Sequence, residues 1–342
     1  MLLLFTFVSC DKDNDPEPEP TETIAPYLFV LNSGTAGQND ASLTAYNYET
    51  GELTADVFAE KLGRGLGDTG NDIIVYGSKM YIAVTNSKTI EVLDLGGKEI
   101  KQIQPDGSPR GFAVHGGNVY VTLYEGSVAK LDTASLAVAA KVSVGTNPEQ
   151  LVVANNKLYV ANSGGMNYPA PQDSTVSVID LTSFAETKKI VVGLNPSAML
   201  VDSQGDVYVG CLGNWYDVPN VVKRIDTKTD DFSEVEGLCA DNMAIYNDKI
   251  YSIYASFDYV SYETVVYSYI YNAATETMIA DKIMDQLPTD TYTVSVIDDK
   301  GNMCITTSPT GSTGEAYIYD KDLKFVDKYA VGVFPVKAVS TK

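Results

Sequence analysis

The sequence predicts an all-β fold, a seven-bladed β-propeller whose blades are four-stranded antiparallel sheets. Three observations lead to this fold class. A β-rich unit repeats with a period of roughly 46 residues, close to the period of about 40–50 residues found in propeller blades. The two ends of the chain carry complementary parts of one such unit. The composition, with 23 tyrosines and 27 glycines in 342 residues, favours strands and turns over helices.

The repeating unit is clearest between residues 147 and 193, where turn residues separate four short runs of β-forming residues. The centres of its second run are Phe29, Tyr81, Tyr120, Tyr159, Tyr208, Tyr251 and Cys304. The third run ends each time in Asp or Asn, at Asn47, Asp94, Asp132, Asp180, Asp226, Asn272 and Asp320. Both series count seven, which predicts seven blades.

The ends of the chain predict how the ring closes. Residues 333–339 resemble the first run of a unit, as found at 195–201, with the later runs missing. Near its start the chain has a second run at Leu28 without a first run before it. We therefore expect the C-terminal strand to pair with the N-terminal blade, which removes free sheet edges. No helical periodicity of useful length is visible.

The N-terminal residues are predicted to be a processing segment. Residues 1–9 look like the remnant of a signal peptide, because the apolar stretch is too short to span a membrane. Ser9 before Cys10 resembles a bacterial lipobox, so we expect Cys10 to be lipidated. Residues 10–25 are acidic and rich in proline, which predicts an extended tether. The propeller is assigned to residues 26–342, at the cell surface, with the lipid as its only membrane contact.

Charge and residue usage narrow the function classes. Lys and Arg number 24 against 45 Asp and Glu, a net charge of −21, which disfavours binding to nucleic acid. The single histidine, His115, is expected in a turn away from any site. Gly65, Gly67 and Gly70 match a dinucleotide motif but precede a strand, so we expect no nucleotide there. We predict a binding protein without metal, cofactor or catalytic residues, not an enzyme.

The long insertions are predicted to form the binding surface. They fall between the second and third strands of several blades, at one face of the ring. Tyr and Trp in such loops offer large rigid contact areas with a polar tip. The candidate residues in the insertions are Asn167, Tyr168, Asn214, Trp215, Tyr216, Tyr254 and Tyr259. Alternatively, these aromatic side chains only pack the loops onto the blades.

A second candidate set starts the first strands, at the mouth of the central channel: Arg110, Gln150 and Asn242. Arg110 is one of few cations and suits a ligand phosphate or carboxylate. The alternative is an Arg110 paired with a neighbouring carboxylate such as Asp72. Cys211 and Cys239 both map near the loop face, where either a disulfide or two buried free thiols fit the sequence.

The repeated Asn-Pro, Leu-Tyr-Val-Ala-Asn, Val-Ser-Val-Ile-Asp and Val-Gly segments between Asn147 and Gly193 resemble those of YncE-like, surface-layer-type seven-bladed propellers. With the lipobox and acidic tether, the chain resembles surface propeller lipoproteins of Bacteroidetes, including the BtuG-type proteins. This resemblance implies cobalamin (vitamin B12) or a related corrinoid as ligand, and a TonB-dependent outer-membrane transporter as partner. The alternatives are a surface module that binds glycans or proteins, and a propeller lyase.

Overall fold

The computed structural model of the chain describes residues 24–165, 172–214, 216–258, 262–281, 284, 286–309 and 312–342. Within these ranges it contains seven four-stranded antiparallel sheets and one short helix. The innermost strand of each sheet contacts the innermost strands of the two neighbouring sheets, so the sheets form a closed ring. The predicted seven-bladed propeller is confirmed.

The bounds of the elements follow in chain order. The first part of the chain contains β1 (Tyr27–Asn32), β2 (Ser42–Asn47), β3 (Leu53–Thr54), helix α1 (Val57–Leu62), β4 (Gly70–Tyr76), β5 (Lys79–Val84), β6 (Thr89–Asp94), β7 (Glu99–Ile103), β8 (Pro109–His115), β9 (Asn118–Leu123), β10 (Ser127–Asp132) and β11 (Ala137–Ser143). The middle contains β12 (Pro148–Ala154), β13 (Lys157–Asn162), β14 (Thr175–Asp180), β15 (Ala185–Val191), β16 (Pro196–Val201), β17 (Val207–Cys211), β18 (Val221–Asp226) and β19 (Asp231–Val235). The last part contains β20 (Met243–Tyr246), β21 (Lys249–Asp258), β22 (Glu263–Asn272), β23 (Thr277–Asp281), β24 (Thr291–Val296), β25 (Met303–Thr307), β26 (Thr313–Tyr319), β27 (Phe325–Val333) and β28 (Pro335–Ser340).

Blade 1 is built from both ends of the chain. From the axis outward its order is β28, β1, β2 and β3, whereas blades 2 to 7 each use four consecutive strands from β4 to β27. β28 pairs antiparallel with β1, from Leu28 opposite Ser340 to Asn32 opposite Pro335. The predicted closing strand is confirmed, and it leaves blade 1 with four strands like the other blades.

Aromatic residues of the second strands fill the seams between blades. Tyr81, Tyr159 and Tyr208 are fully buried, and each belongs to a cluster that includes residues of the following blade. Because the side chains of a strand alternate between its two faces, the side chain at this position faces the next blade in every unit. At the closing seam Cys304 takes this position and is also fully buried, packed with Leu28 and Val30 of blade 1.

The acidic residues that end the third strands form turns. The Asp132 carboxylate accepts hydrogen bonds from the backbone and hydroxyl of Ser135, both 2.7 Å long. Asp180 makes the same two bonds with Ser183. These bonds hold the pKa of both carboxyl groups below the usual value. The predicted role of these residues in turns is confirmed.

Two buried asparagines fasten neighbouring blades. Asn162 Oδ1 accepts the N–H of Gly145 at 3.0 Å, and its Nδ2 donates to Ser177 Oγ at 2.9 Å. Asn32 makes the equivalent bond across the closing seam, from Gly332 N–H at 2.9 Å. A Cβ atom on Gly145 would lie 2.4 Å from the Asn162 side chain. Position 145, in the link that leaves blade 3, must therefore be glycine.

Helix α1 is the one element type that sequence periodicity missed. It spans six residues, with the Asp56 side chain as N-cap and Gly63 in the left-handed conformation as C-cap. Its buried residues are Val57 and Phe58, which join the core of blades 1 and 2. Six residues are too few for an apolar period to be recognised. In the part of the chain that the structure describes, no helix is long and apolar enough to cross a membrane.

Replacing Asn162 by leucine is expected to destabilise the propeller, because the Gly145 N–H and the Ser177 hydroxyl lose a buried partner. We expect the free energy of unfolding to fall by about 3 kcal/mol, and the same from Asn32→Leu, since an orphaned buried group costs about 1–3 kcal/mol. Urea unfolding followed by circular dichroism measures the effect. As a control, Asn118→Ala removes only an exposed bond within a turn. Equal stability of Asn162→Leu and Asn118→Ala would refute the assignment.

Candidate functional site

The connections between strands divide between the two ends of the propeller. Links from second to third strands and links between blades lie at the same end, because they bond to each other: Ser163 N–H to Asn147 O and Gly213 N–H to Leu194 O, both 3.1 Å. We call this end the long-link face. At the opposite end the longest link is 297–302. The long connections therefore gather at one face. Three of them join second to third strands, as predicted: 33–41, 163–174 and 212–220. The other two, 55–69 and 282–290, join neighbouring blades.

The central channel contains a cavity of about 340 Å³ that is lined by residues of all seven innermost strands and reaches Asn242, just before β20, at the long-link end. The carboxylate of Asp72 lies on its wall and is almost fully buried. This carboxylate accepts the N–H of Phe112 at 2.8 Å and forms an ion pair with Lys337. Since Lys337 belongs to β28, one ion pair joins the closing strand to blade 2, and the N–H bond joins blade 2 to blade 3.

Gln150 and Asn242 also line this cavity, as predicted for the channel mouth. Gln150 Oε1 accepts the N–H of Met199 at 3.0 Å, which links blades 4 and 5. Its amide NH₂ group has no partner among the described residues and remains free to donate. The Asn242 side chain adds a second amide to the same wall. The cavity therefore presents amide donors and acceptors beside one compensated ion pair.

Arg110 is bound to the protein itself. Its guanidinium donates to both carboxylate oxygens of Glu149, at 2.7 to 2.9 Å, and lies 4.9 Å from the centre of the Tyr124 ring. The alternative considered from the sequence, an Arg110 paired with a neighbouring carboxylate, is confirmed. The partner is Glu149 and not Asp72, whose carboxylate pairs with Lys337. Burial raises the pKa of Glu149, while the charge of Arg110 lowers it. Arg110 is thus committed to an inter-blade ion pair.

A hairpin of blade 6 rises above the long-link face. β21 and β22 stay paired from Lys249–Asn272 to Asp258–Glu263. In contrast, β20 pairs only with residues 249–252 of β21, and β23 pairs only with residues 269–272 of β22. Tyr254 was predicted in an insertion, and this is wrong: it lies within β21, because the pairing continues where the other blades turn.

Three tyrosines form a continuous surface on this hairpin, here called the tyrosine wall: Tyr254, Tyr267 and Tyr269. The ring centres of Tyr254 and Tyr267 are 4.9 Å apart, and those of Tyr267 and Tyr269 are 6.5 Å apart with planes within 4°. Tyr267 is 36% exposed. Tyr267 and Tyr269 were not predicted, although the alternating Tyr-Ser-Tyr-Ile-Tyr pattern that ends at Tyr271 indicates three tyrosines on one face of a strand.

The 212–220 link is organised by Asn214. Its Oδ1 accepts the N–H groups of Tyr216, Asp217 and Val218 at 2.9 to 3.1 Å, and its Nδ2 donates to Asp217 Oδ1 at 2.7 Å. Tyr216 is left 94% exposed. Asn214 therefore shapes the loop, and Tyr216 is its freely presented ring. The predicted residues Asn167, Tyr168, Trp215 and Tyr259, and the lipidation site Cys10, lie outside the described residues.

The remaining candidate groups are His115, at the opposite end, and three buried cysteines. His115 is exposed at the end of β8, beside the turn at the opposite end. Cys211, Cys239 and Cys304 are buried free thiols, which settles the alternative left open for the first two. Burial raises their thiol pKa values, to about 11 for Cys239. Among the described residues no three His, Cys, Asp or Glu side chains form a group that could hold a metal ion.

Comparison with solved structures supports the fold. No family model and no protein of curated function matches the sequence. The structure resembles Kuenenia stuttgartiensis hydrazine synthase, with a TM-score of 0.62 and 17% identity over 76% of this chain and 85% of that one. It also resembles AztD from Citrobacter koseri, with a TM-score of 0.54 and 12% identity over 93% and 98% of the two chains. The computationally designed Ika8 protein gives 0.56 and 11% over 88% and 87%. At these identities the likeness concerns the fold alone.

The assignment of Arg110 to a structural ion pair is testable. In Arg110→Met the buried Glu149 carboxylate loses its cation, and we expect a loss of about 3 kcal/mol in unfolding free energy at pH 7. The double variant Arg110→Met/Glu149→Met should recover most of it. The loss in the single variant should shrink as the pH falls, because protonation of Glu149 removes the uncompensated charge. Thermal unfolding from pH 4 to 8 gives both results; a single variant as stable as the wild type would contradict the pairing.

Proposed function

We propose that the protein is a cell-surface binding protein that holds a bulky small molecule on the long-link face. The observation that carries this proposal is that three features meet the same end of the propeller. They are the channel cavity, the tyrosine wall and the exposed ring of Tyr216. A rigid ring of blades with its long connections at one end is a common way to build a binding surface. Binding alone requires no covalent step and no nucleophile.

The chemistry of this face favours a neutral, partly polar ligand. Tyr267 and Tyr216 offer flat apolar area with hydroxyl tips. Gln150 and Asn242 offer amide groups that both donate and accept. An anionic ligand is disfavoured, because the chain carries a net charge of −21 and Arg110 is already occupied by Glu149.

Our first candidate ligand is cobalamin or a related corrinoid, following the resemblance to BtuG-type propeller lipoproteins. Its large ring suits aromatic side chains, and its peripheral amides suit the two amide side chains of the channel mouth. In this proposal the lipid on Cys10 anchors the protein at the outer membrane, and a TonB-dependent transporter receives the ligand.

The position at which the chain enters the propeller supports a long-link face that is open to ligand. The Ile24 side chain lies beside Gly96, which is in a turn of blade 2 at the end opposite the long links. Pro26 accepts a hydrogen bond from Tyr48 N–H, in a turn at that same end. In this proposal the tether would reach the propeller at the end away from the long-link face, which supports a ligand-binding face that the anchor leaves open.

Gel filtration of the Cys10→Ser chain with cyanocobalamin tests the proposal. We expect the visible corrin absorbance to elute with the protein at micromolar concentration. Tyr267→Ala and Tyr216→Ala should each weaken binding about five- to tenfold, since an aromatic contact contributes roughly 1 kcal/mol. Phe232→Ala serves as the control, because this ring is 46% exposed on the outer strand of blade 5. Elution without colour would reject cobalamin as the ligand.

A further inference from the structure

A second cavity lies at the outer side of blades 6 and 7. Its volume is about 730 Å³, and it shares no lining residue with the channel cavity. One wall is the link 286–290, which connects the two blades, and the other is formed by β26 and β27. We call it the blade 6–7 groove. Its volume is within the range of about 300–1,000 Å³ found for small-molecule sites.

The floor of the blade 6–7 groove is aromatic and apolar. The ring centres of Tyr317 and Phe325 are 6.1 Å apart, with planes inclined by 56°. Both rings are partly buried, and both pack against the core cluster between blades 6 and 7 together with Leu287. The fold therefore holds both rings in place, and the Lys328 ammonium group lies over the Tyr317 ring, 5.4 Å from its centre.

A compensated ion pair stands beside this floor. Glu315 accepts a bond from Lys328 Nζ at 2.7 Å and another from the Tyr317 hydroxyl at 2.8 Å. These bonds lower the pKa of Glu315, so the pair is charged at neutral pH. The two side chains are 40% and 48% exposed, which leaves further donors and acceptors directed to water. The pair carries no net charge, so it can bond to hydroxyl groups without selecting for an ion.

The rim of the groove adds hydrogen-bonding groups of both kinds. Thr289, Asp290 and Thr313 are exposed and line the cavity. The two threonine hydroxyls can donate and accept, and the Asp290 carboxylate accepts.

We propose that the blade 6–7 groove binds a short, neutral carbohydrate. A sugar ring has apolar C–H faces and equatorial hydroxyl groups, and the groove matches the first with Tyr317 and Phe325 and the second with Glu315, Lys328 and the threonines. Acidic sugars are disfavoured, because Asp290 lies at the rim and the chain carries a net charge of −21. This site shares no lining residue with the channel cavity and does not depend on the ligand proposed for that cavity.

The test is saturation-transfer NMR on the Cys10→Ser chain, with calorimetry of any sugar that binds. The probes are four neutral trisaccharides (maltotriose, cellotriose, chitotriose and mannotriose) and the acidic trigalacturonic acid. We expect saturation transfer to at least one neutral sugar and weaker or no transfer to the acidic one. Tyr317→Ala should weaken binding at least tenfold, and Phe232→Ala on blade 5 should leave it unchanged.

A second variant covers the case in which Tyr317→Ala disturbs the blade. Thr313→Trp adds bulk at an exposed position of the groove and removes no core contact, so it should also weaken binding at least tenfold while the melting temperature stays near that of the wild type. The proposal is overturned if none of the neutral sugars binds, if the acidic sugar binds best, or if Thr313→Trp binds as well as the wild type.

Discussion

The antiparallel pairing of β28 with β1 is the constraint on which the rest of the structure depends. A stack of sheets that did not close would leave two outer blade faces exposed, and blade 1 would lack its innermost strand. The closing strand also supplies Lys337 to Asp72, so the same segment that seals the ring completes the wall of the channel cavity. Fold and candidate site thus share one strand.

The seams between blades have the same arrangement of contacts, made by different side chains. A buried tyrosine of one blade faces the next, and at two seams an asparagine bonds to a glycine of the preceding blade. Because each seam relies on local contacts between neighbours, single positions can vary, as Cys304 shows at the closing seam. The ring tolerates this variation, and the link regions remain available for binding.

The repeat made the fold predictable, because each blade carries its own copy of the signal. Seven aromatic or apolar centres and seven strand-ending Asp or Asn residues give the number of blades, and the incomplete first unit gives the closing strand. The six residues of α1 are too few to leave a periodic signal. Tyr254 was predicted in a loop because β21 is longer than the other second strands. In the sequence, the extra length of such a strand is not distinguishable from an insertion.

The partners of the site residues were harder to predict, since they lie on different blades. Arg110 and Glu149 are 39 residues apart, close to one repeat, so a search for opposite charges at equivalent positions would have found the pair. Lys337 and Asp72 meet only through closure of the ring, which no single repeat reveals. Loop shapes such as that around Asn214 depend on many local bonds and are visible only in three dimensions.

The point where the chain enters the propeller has a mechanical consequence for the proposed anchoring. Ile24 and Pro26 lie at the end opposite the long-link face. Under the proposed lipid anchor, the long-link face would point away from the membrane while it collects the ligand. The whole propeller would then have to turn over for that face to meet a partner in the same membrane.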